Sequence, residues 1–188
     1  MRRDLPPSDG SVELVVLLDD ARAPLGSADK ASVHGADTPL HLAFSCHLSD
    51  PAGRVLMTRR ALSKLTWPGV WTNACCGHPG PGERPENAVV RRMRQELGIT
   101  VYAVRPILPD FAYRAVDASG VVENEVCPVF AAVTDADPVP DPTEVAEVAW
   151  TAWSDLVEMA RATPWALSPW SVLQVLALAE AGWAPDHR

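Results

Sequence analysis

The chain lacks any apolar run able to cross a bilayer. The longest early one, Leu14 to Leu18, is far shorter than the ~20 residues a spanning helix needs. Met1 to Gly10 carries Arg2 and Arg3 but no apolar signal-peptide core, and Ala184 to Arg188 shows no lipidation or retrieval signal. The expected location is therefore the cytosol, with no membrane partner. Cations are in the minority: 16 Lys and Arg against 24 Asp and Glu give a formal net charge of -8, which argues against a nucleic-acid surface. A few converging cations can still hold a phosphate. No pair of CxxC knuckles is present, so a structural zinc ribbon is disfavoured. The four cysteines, at 46, 75, 76 and 127, read as reduced thiols, because adjacent Cys75 and Cys76 diverge in an extended chain and would bridge only under strain. Repeats and low-complexity tracts are also absent.

What is there suits a single domain over 188 residues, with 47% hydrophobic content to fill a core. Alternation and β-branched content predict strands at Val12–Leu18, Leu42–Leu48, Val55–Arg59, Val70–Cys76, Ile99–Val104, Val121–Val133 and Val145–Trp153. The turn Asp50-Pro51-Ala52-Gly53 joins two of them. One helix is expected over Pro85–Leu97, with Gly98 just past its end and Val89, Met93 and Leu97 as its apolar stripe. Another is expected over Pro169–Ala181, capped by Ser168, with Val172, Leu173, Leu176 and Ala179 as its buried face. Asp135–Pro142, with three prolines and three aspartates, reads as an exposed loop. The predicted class is α/β (α+β), with helices packed on a mixed or mainly antiparallel sheet.

From Gly77, five residues lead to Glu83, and seven more lead to Arg91-Arg92-Met93-Arg94-Gln95-Glu96-Leu97-Gly98-Ile99. This resembles the Nudix box, G-x5-E-x7-R-E-U-x-E-E-x-G-U (U a bulky apolar residue), a loop–helix–loop that gathers carboxylates around divalent metal and diphosphate. Gly77, Glu83, Arg91, Met93, Glu96, Gly98 and Ile99 match. Arg92 and Gln95 stand where the hydrolases carry glutamates, which removes part of the apparatus that prepares a water for attack. Taken alone, the segment also reads as a charged, solvent-facing helix.

Thr72-Asn73-Ala74-Cys75-Cys76-Gly77-His78-Pro79 precedes that helix, and Tyr113 and Val121-Val122-Glu123-Asn124-Glu125-Val126-Cys127-Pro128 follow it. With Thr58 to Lys64 and Ser168-Pro169-Trp170, these stretches resemble type 1 isopentenyl diphosphate isomerase from about Lys30 to Trp170. The resemblance implies a Nudix-like fold and one divalent metal held by His34, His41, His78, Glu123 and Glu125, the first two from an N-terminal segment at about 30–41. That donor set favours Mn, Mg or Fe, with Zn also compatible. In extended chain Glu123 and Glu125 share a face, as do Cys76 and His78. Whether the chain wraps back to bring His34 and His41 there is not legible in the sequence.

The implied reaction protonates one alkene carbon and removes a proton two carbons away, through a carbocation-like intermediate. It needs an acid and a base on opposite faces and a site that excludes water. Glu125, assisted by Tyr113, is expected to donate in the forward direction. Cys76 is expected to accept, with its thiol shifted to act near neutrality. Trp170 offers a π face to the cation, and Trp67 and Trp71 are candidates for the apolar wall. Lys30, Arg60, Lys64 and Arg92 would hold the diphosphate, with Glu96 on an accompanying Mg ion. Cys75, Cys46 and Cys127 read as packing residues, and His47 and His187 as incidental. Arg59 points away from Arg60. The partner is a small-molecule substrate and the chain is expected to act as a monomer. The alternatives are a Nudix hydrolase of a nucleoside diphosphate derivative, which needs no cysteine, and a non-catalytic metal-binding module, which needs neither Tyr113 nor Cys76.

Overall fold

Alternating apolar residues make the strands of this chain, and breaks in that alternation divide them between two sheets. The computed structural model describes residues 13–185, so Val12 and His187 lie outside the described residues. In chain order the elements are β1 (Leu14–Leu18), β2 (Pro24–Asp29), α1 (Lys30–Val33), β3 (His41–Leu42), β4 (Phe44–Ser49) and β5 (Arg54–Arg60). Then come β6 (Trp71–Asn73), β7 (Cys75–Gly77), α2 (Pro85–Leu97), β8 (Tyr102–Leu108), β9 (Ala112–Val116) and β10 (Val122–Val126). The chain closes with β11 (Val129–Val133), β12 (Val145–Ala152), α3 (Trp153–Ala162) and α4 (Pro169–Glu180).

One sheet runs β2-β1-β3-β10-β9; the other runs β12-β5-β4-β11-β8, with β6 beside β5 and β7 beside β4. The chain passes from the first sheet to the second at two places, β3 to β4 and β10 to β11, and the crossing segments pair in parallel in both sheets. Ala43 N donates to Val126 O (2.9 Å) and Ser45 N to Pro128 O (3.1 Å), stitching the crossing together. The two long strands expected at Leu42–Leu48 and Val121–Val133 are therefore each two strands. Pro128 has no N–H to continue a ladder, so the second of them breaks there. Val70–Cys76 likewise divides at Ala74, and the strand expected at Ile99–Val104 starts later, at Tyr102. The strand expected at Val145–Trp153 ends at Ala152, where α3 begins. Neither α3, β2 nor β9 was expected from periodicity.

α2 has the expected limits. Its stripe of Val89, Met93 and Leu97 is buried with Ala88 against Phe44, Cys46 and Leu48 of β4. It stops because Gly98 takes a left-handed φ of 65°, and a Cβ there would sit 3.1 Å from Val139 O. A second core joins Val55 and Met57 to Leu156, Leu167 and Val175 beneath α3 and α4. α4 starts under its expected cap, Ser168, whose side chain accepts from Ser171 N. Its buried face matches the expected one in part: Val172, Leu176 and Ala179 are half-buried against the second core, Leu173 is 49% exposed, and Trp170, Ser171, Gln174, Val175 and Leu178 are the buried residues. The helix is apolar nearly all round, so periodicity could not choose a face; the polar Gln174 is buried because it reaches Ser45 at the site end of β4. No helix among the described residues is long and apolar enough to cross a membrane.

Candidate active site

The centre of the site is a row of side chains across three strands of the first sheet. Glu125 on β10 pairs with His41 on β3 and with Tyr113 on β9, so the three project to one face. Glu123, two residues back, shares that face. The wrap needed for the N-terminal histidines is made by the β1–β2 hairpin, which adds to the sheet edge beside β3 and leads into α1. Asp29 Oδ1 caps that single turn by accepting from Ala31 N (2.9 Å), and the turn delivers Lys30 and, at its end, His34. His78 follows β7, its backbone carbonyl accepting from Arg91 (3.2 Å). Arg91 also clasps Glu83, which accepts from Gly80 N, so these two box residues fix the loop that carries His78.

Donor atoms of His34, His41, His78 and Glu125 all lie within 4.8 Å of one another and can hold a metal ion. The fifth expected ligand, Glu123, is outside that set of four, with its Oε2 3.1 Å from His34 Nε2. The chemistry of these donors fits a cation. His41 Nδ1 lies 2.9 Å from Pro39 O, which can only accept, so Nδ1 carries the hydrogen. Nε2 faces Glu125 Oε1 at 3.5 Å; burial lowers His41, but the pull of that carboxylate outweighs it and raises the ring. Once the Nε2 proton is lost, its lone pair is free for a cation. His34 Nε2, His41 Nε2 and Glu123 Oε2 are buried without a hydrogen-bond partner among the described residues.

Burial pushes the Glu125 carboxyl up, but hydrogen bonds and charge from His41 and His78 outweigh it and hold it well below the usual carboxylate range. Burial, with the Glu125 charge added, raises its neighbour Glu123. His78 is lowered to about 4 by burial, against the pull of Glu125. Burial and the charges of Glu125 and Glu123 keep Tyr113 a neutral phenol. Cys76 departs from expectation. Burial pushes its thiol up to about 11, with Glu125 adding to the shift and hydrogen bonds to Ser45 and Asn73 opposing it. The thiol holds its proton at neutrality instead of titrating there.

Cys76, His34, His78, Tyr113, Glu123 and Glu125 open onto one cavity of about 660 Å³. The same cavity is lined by Lys30, Arg60, Lys64, Arg92 and Trp170, whose ring lies 5.6 Å from that of Tyr113. Arg60 donates to Thr66 O and Oγ1 and lies 5.7 Å over the Trp170 ring. Lys30 pairs with Glu13 (2.6 Å), Lys64 with Glu144 (2.5 Å), and Arg92 with Glu96, Glu13 and Glu144. Glu13 and Glu144 were missed by sequence reasoning; isolated acids carry no motif. Glu144 is placed by the Asp135–Pro142 loop, whose backbone donates to Leu97 O and Glu96 O at the end of α2. Glu96 does not line the large cavity. Its Oε1 takes both Arg92 contacts, and it borders a small space shared with Lys64, Cys76 and Glu144. Trp67 and Trp71 do not line the large cavity either. Trp67 backs Trp170 edge-on at 5.2 Å, and Trp71 packs on the second core. Cys75 and Cys46 are core residues, Cys127 is buried, and Arg59 points away to Gly69 O and Glu147, all as expected. His47 is fully buried, with Trp153 and Trp183 against its ring.

The NUDIX domain model matches residues 39–173. Among solved structures, the fold is similar to that of a protein from Deinococcus radiodurans (TM-score 0.66, 18% identity, 87% of this chain and 97% of that one). It is also similar to that of a MutT protein from Methanosarcina mazei (TM-score 0.61, 19% identity, 77% and 96%). These likenesses show the fold alone. The sequence is 61% identical to an isopentenyl-diphosphate Delta-isomerase of Kocuria rhizophila, over 84% of this chain and 88% of the relative. It is 56% identical to those of Agromyces mediolanus (95% and 86%) and Mycolicibacterium vanbaalenii (94% and 97%). A NUDIX domain whose helix has exchanged a carboxylate for Arg92, and relatives this similar over nearly their whole length, lead to one conclusion: the chain belongs to the isopentenyl-diphosphate Delta-isomerase family.

Proposed function

We propose that this chain interconverts isopentenyl and dimethylallyl diphosphate by allylic proton transfer, with Cys76 and Glu125 as the proton-transfer pair. The observation that carries this reading is one cavity lined by the Cys76 thiol, the Glu123 and Glu125 carboxylates, four cations and Trp170. Lys30, Arg60, Lys64 and Arg92 bind the diphosphate, Arg92 through a guanidinium fork suited to phosphate oxygens. The apolar end of the substrate lies between Cys76 and Glu125. One group gives a proton to the alkene terminus while the other takes one two carbons away. From the protein's own groups, the thiol holds its proton and Glu125 is ionised. That pattern supports Cys76 as first donor and Glu125 as first acceptor, the reverse of the order expected from sequence. The reaction is reversible, and the pair exchange roles. Each turnover moves a proton from one group to the other, so the pair resets by exchange with water, with Tyr113 as the relay beside Glu125. The Trp170 ring stabilises the positive charge by about 0.5–2 kcal/mol.

His34, His41, His78, Glu125 and Glu123 would hold a divalent ion, and three imidazoles with carboxylates suit Mn, Mg or Fe, with Zn as the alternative. When bound, such an ion supplies positive charge that keeps Glu125 ionised and fixes its orientation. Glu96 would serve a Mg ion accompanying the diphosphate, beside the Arg92 that it holds.

Proton NMR of isopentenyl diphosphate in deuterated water with enzyme and Mn or Mg tests the reading. Deuterium should enter both recovered substrate and product; phosphate release without exchange would instead mark a hydrolase. Cys76→Ala should abolish exchange while leaving metal binding intact.

A further inference from the structure

Cys76 and Ser45 sit directly opposite one another on β7 and β4, so their side chains share a face. Ser45 Oγ lies 3.3 Å from Cys76 Sγ and 3.4 Å from Cys127 Sγ. Gln174 Nε2, reaching down from α4, donates to Ser45 Oγ at 2.9 Å. A hydroxyl has one hydrogen and two lone pairs. With the amide occupying a lone pair, the Ser45 hydrogen turns toward sulfur. On its other side the Cys76 thiol donates to Asn73 Oδ1 at 3.3 Å. That oxygen cannot exchange places with its amide nitrogen, because Asn73 Nδ2 donates to Cys46 O (3.1 Å) and Cys75 O (3.0 Å). Ser45, Asn73 and Gln174 are each 0% exposed. Gln174 is also one helical turn from Trp170, so the same face of α4 that offers the cavity its aromatic ring also holds Ser45.

We infer that Ser45 and Gln174 are positioning residues for the reaction: the Gln174 amide orients the Ser45 hydroxyl, and that hydroxyl aims Cys76 Sγ at the substrate. Neither residue touches the substrate; both act through the sulfur. The inference rests on the proposed role of Cys76.

Ser45→Ala, Gln174→Ala, the double variant and Cys76→Ala are to be compared for kcat, KM, bound Mn and thermal midpoint with isopentenyl diphosphate. Ser45→Ala should lower kcat about tenfold to a hundredfold, the scale of a misplaced reacting group, with KM and Mn content within twofold of wild type. Gln174→Ala should lower kcat in the same direction by less. The double variant should resemble Ser45→Ala, since both act through one hydroxyl. Ser45→Thr should recover most of the lost rate by restoring that hydroxyl. Should Ser45→Ala fail to fold, Gln174→Ala carries the same test. Full kcat in these variants beside a dead Cys76→Ala would overturn the positioning role alone, as would losses in proportion to the thermal midpoint or strictly additive losses. Full activity in Cys76→Ala would overturn the underlying reading.

Discussion

His41 gives its Nδ1 hydrogen to Pro39 O and turns Nε2 toward Glu125, while His34 and His78 close in from other elements. Glu125 is held ionised and His78 neutral, as binding a cation requires. Burial lowers His41, but Glu125 outweighs it and raises the ring, so a cation must displace a proton there. Saturating Mn should therefore raise the thermal midpoint of chelator-treated protein by about 5–10 °C at a hundredfold excess over its dissociation constant. The rise should shrink at pH 5.5, where protons compete for the imidazoles, and calorimetry at the two pH values checks it. Arg92 makes the opposite case, a cation buried among acids. Arg92→Leu leaves Glu96, already raised by burial, without its guanidinium, and should cost about 3–5 kcal/mol in urea unfolding. Arg92→Leu with Glu96→Leu should cost much less, because no charge is then stranded. Both variants should lose substrate binding, which separates the stability role from the phosphate role.

At the scale of elements, α2 was legible to the residue because proline, stripe and glycine all agree. The same agreement makes it sensitive. Gly98→Ala must hold φ near 65° with its Cβ 3.1 Å from Val139 O. It should cost about 1–2 kcal/mol from the left-handed conformation alone. Displacing the loop that carries Glu144 to Lys64 and Arg92 should also shift KM more than kcat, as steady-state rates at several substrate concentrations would show. α4 was legible as a helix but only in part as to its face: Val172, Leu176 and Ala179 pack on the second core as expected, and Leu173 does not. Its apolar residues surround it, and only the tertiary structure turns Gln174 to Ser45 of β4 and Trp170 to Tyr113 and Trp67. The two crossing strands read as continuous because apolar strand formers stand on both sides of each break; only Pro128 marks one.

The whole molecule places several ionisable groups where water cannot reach them, and its stability should follow pH accordingly. His47 and His78 are both lowered to about 4 by burial, the former partly offset by Gln174 and the latter by Glu125. A depressed folded pKa gives stability that is complete above the unfolded value near 6.5 and is lost as pH falls toward 4. Chelator-treated protein should lose about 3 kcal/mol per histidine across that window, measured by urea unfolding. His47→Phe should remove one histidine's share of the slope. The sequence by itself determined the chemistry: the thiol, the acids, the histidines and cations, and the helix that bears Arg92 in place of a carboxylate. It did so because motif spacing survives in the linear order and each residue type carries its own reactivity. Only the tertiary structure decided that the β1–β2 hairpin returns His34 to His78, and that Glu13 and Glu144 pair with Lys30, Lys64 and Arg92. It also decided that Cys76 keeps its proton between Ser45 and Asn73. Those facts depend on which strands lie side by side and how much water they exclude, and neither is written in the order of the residues.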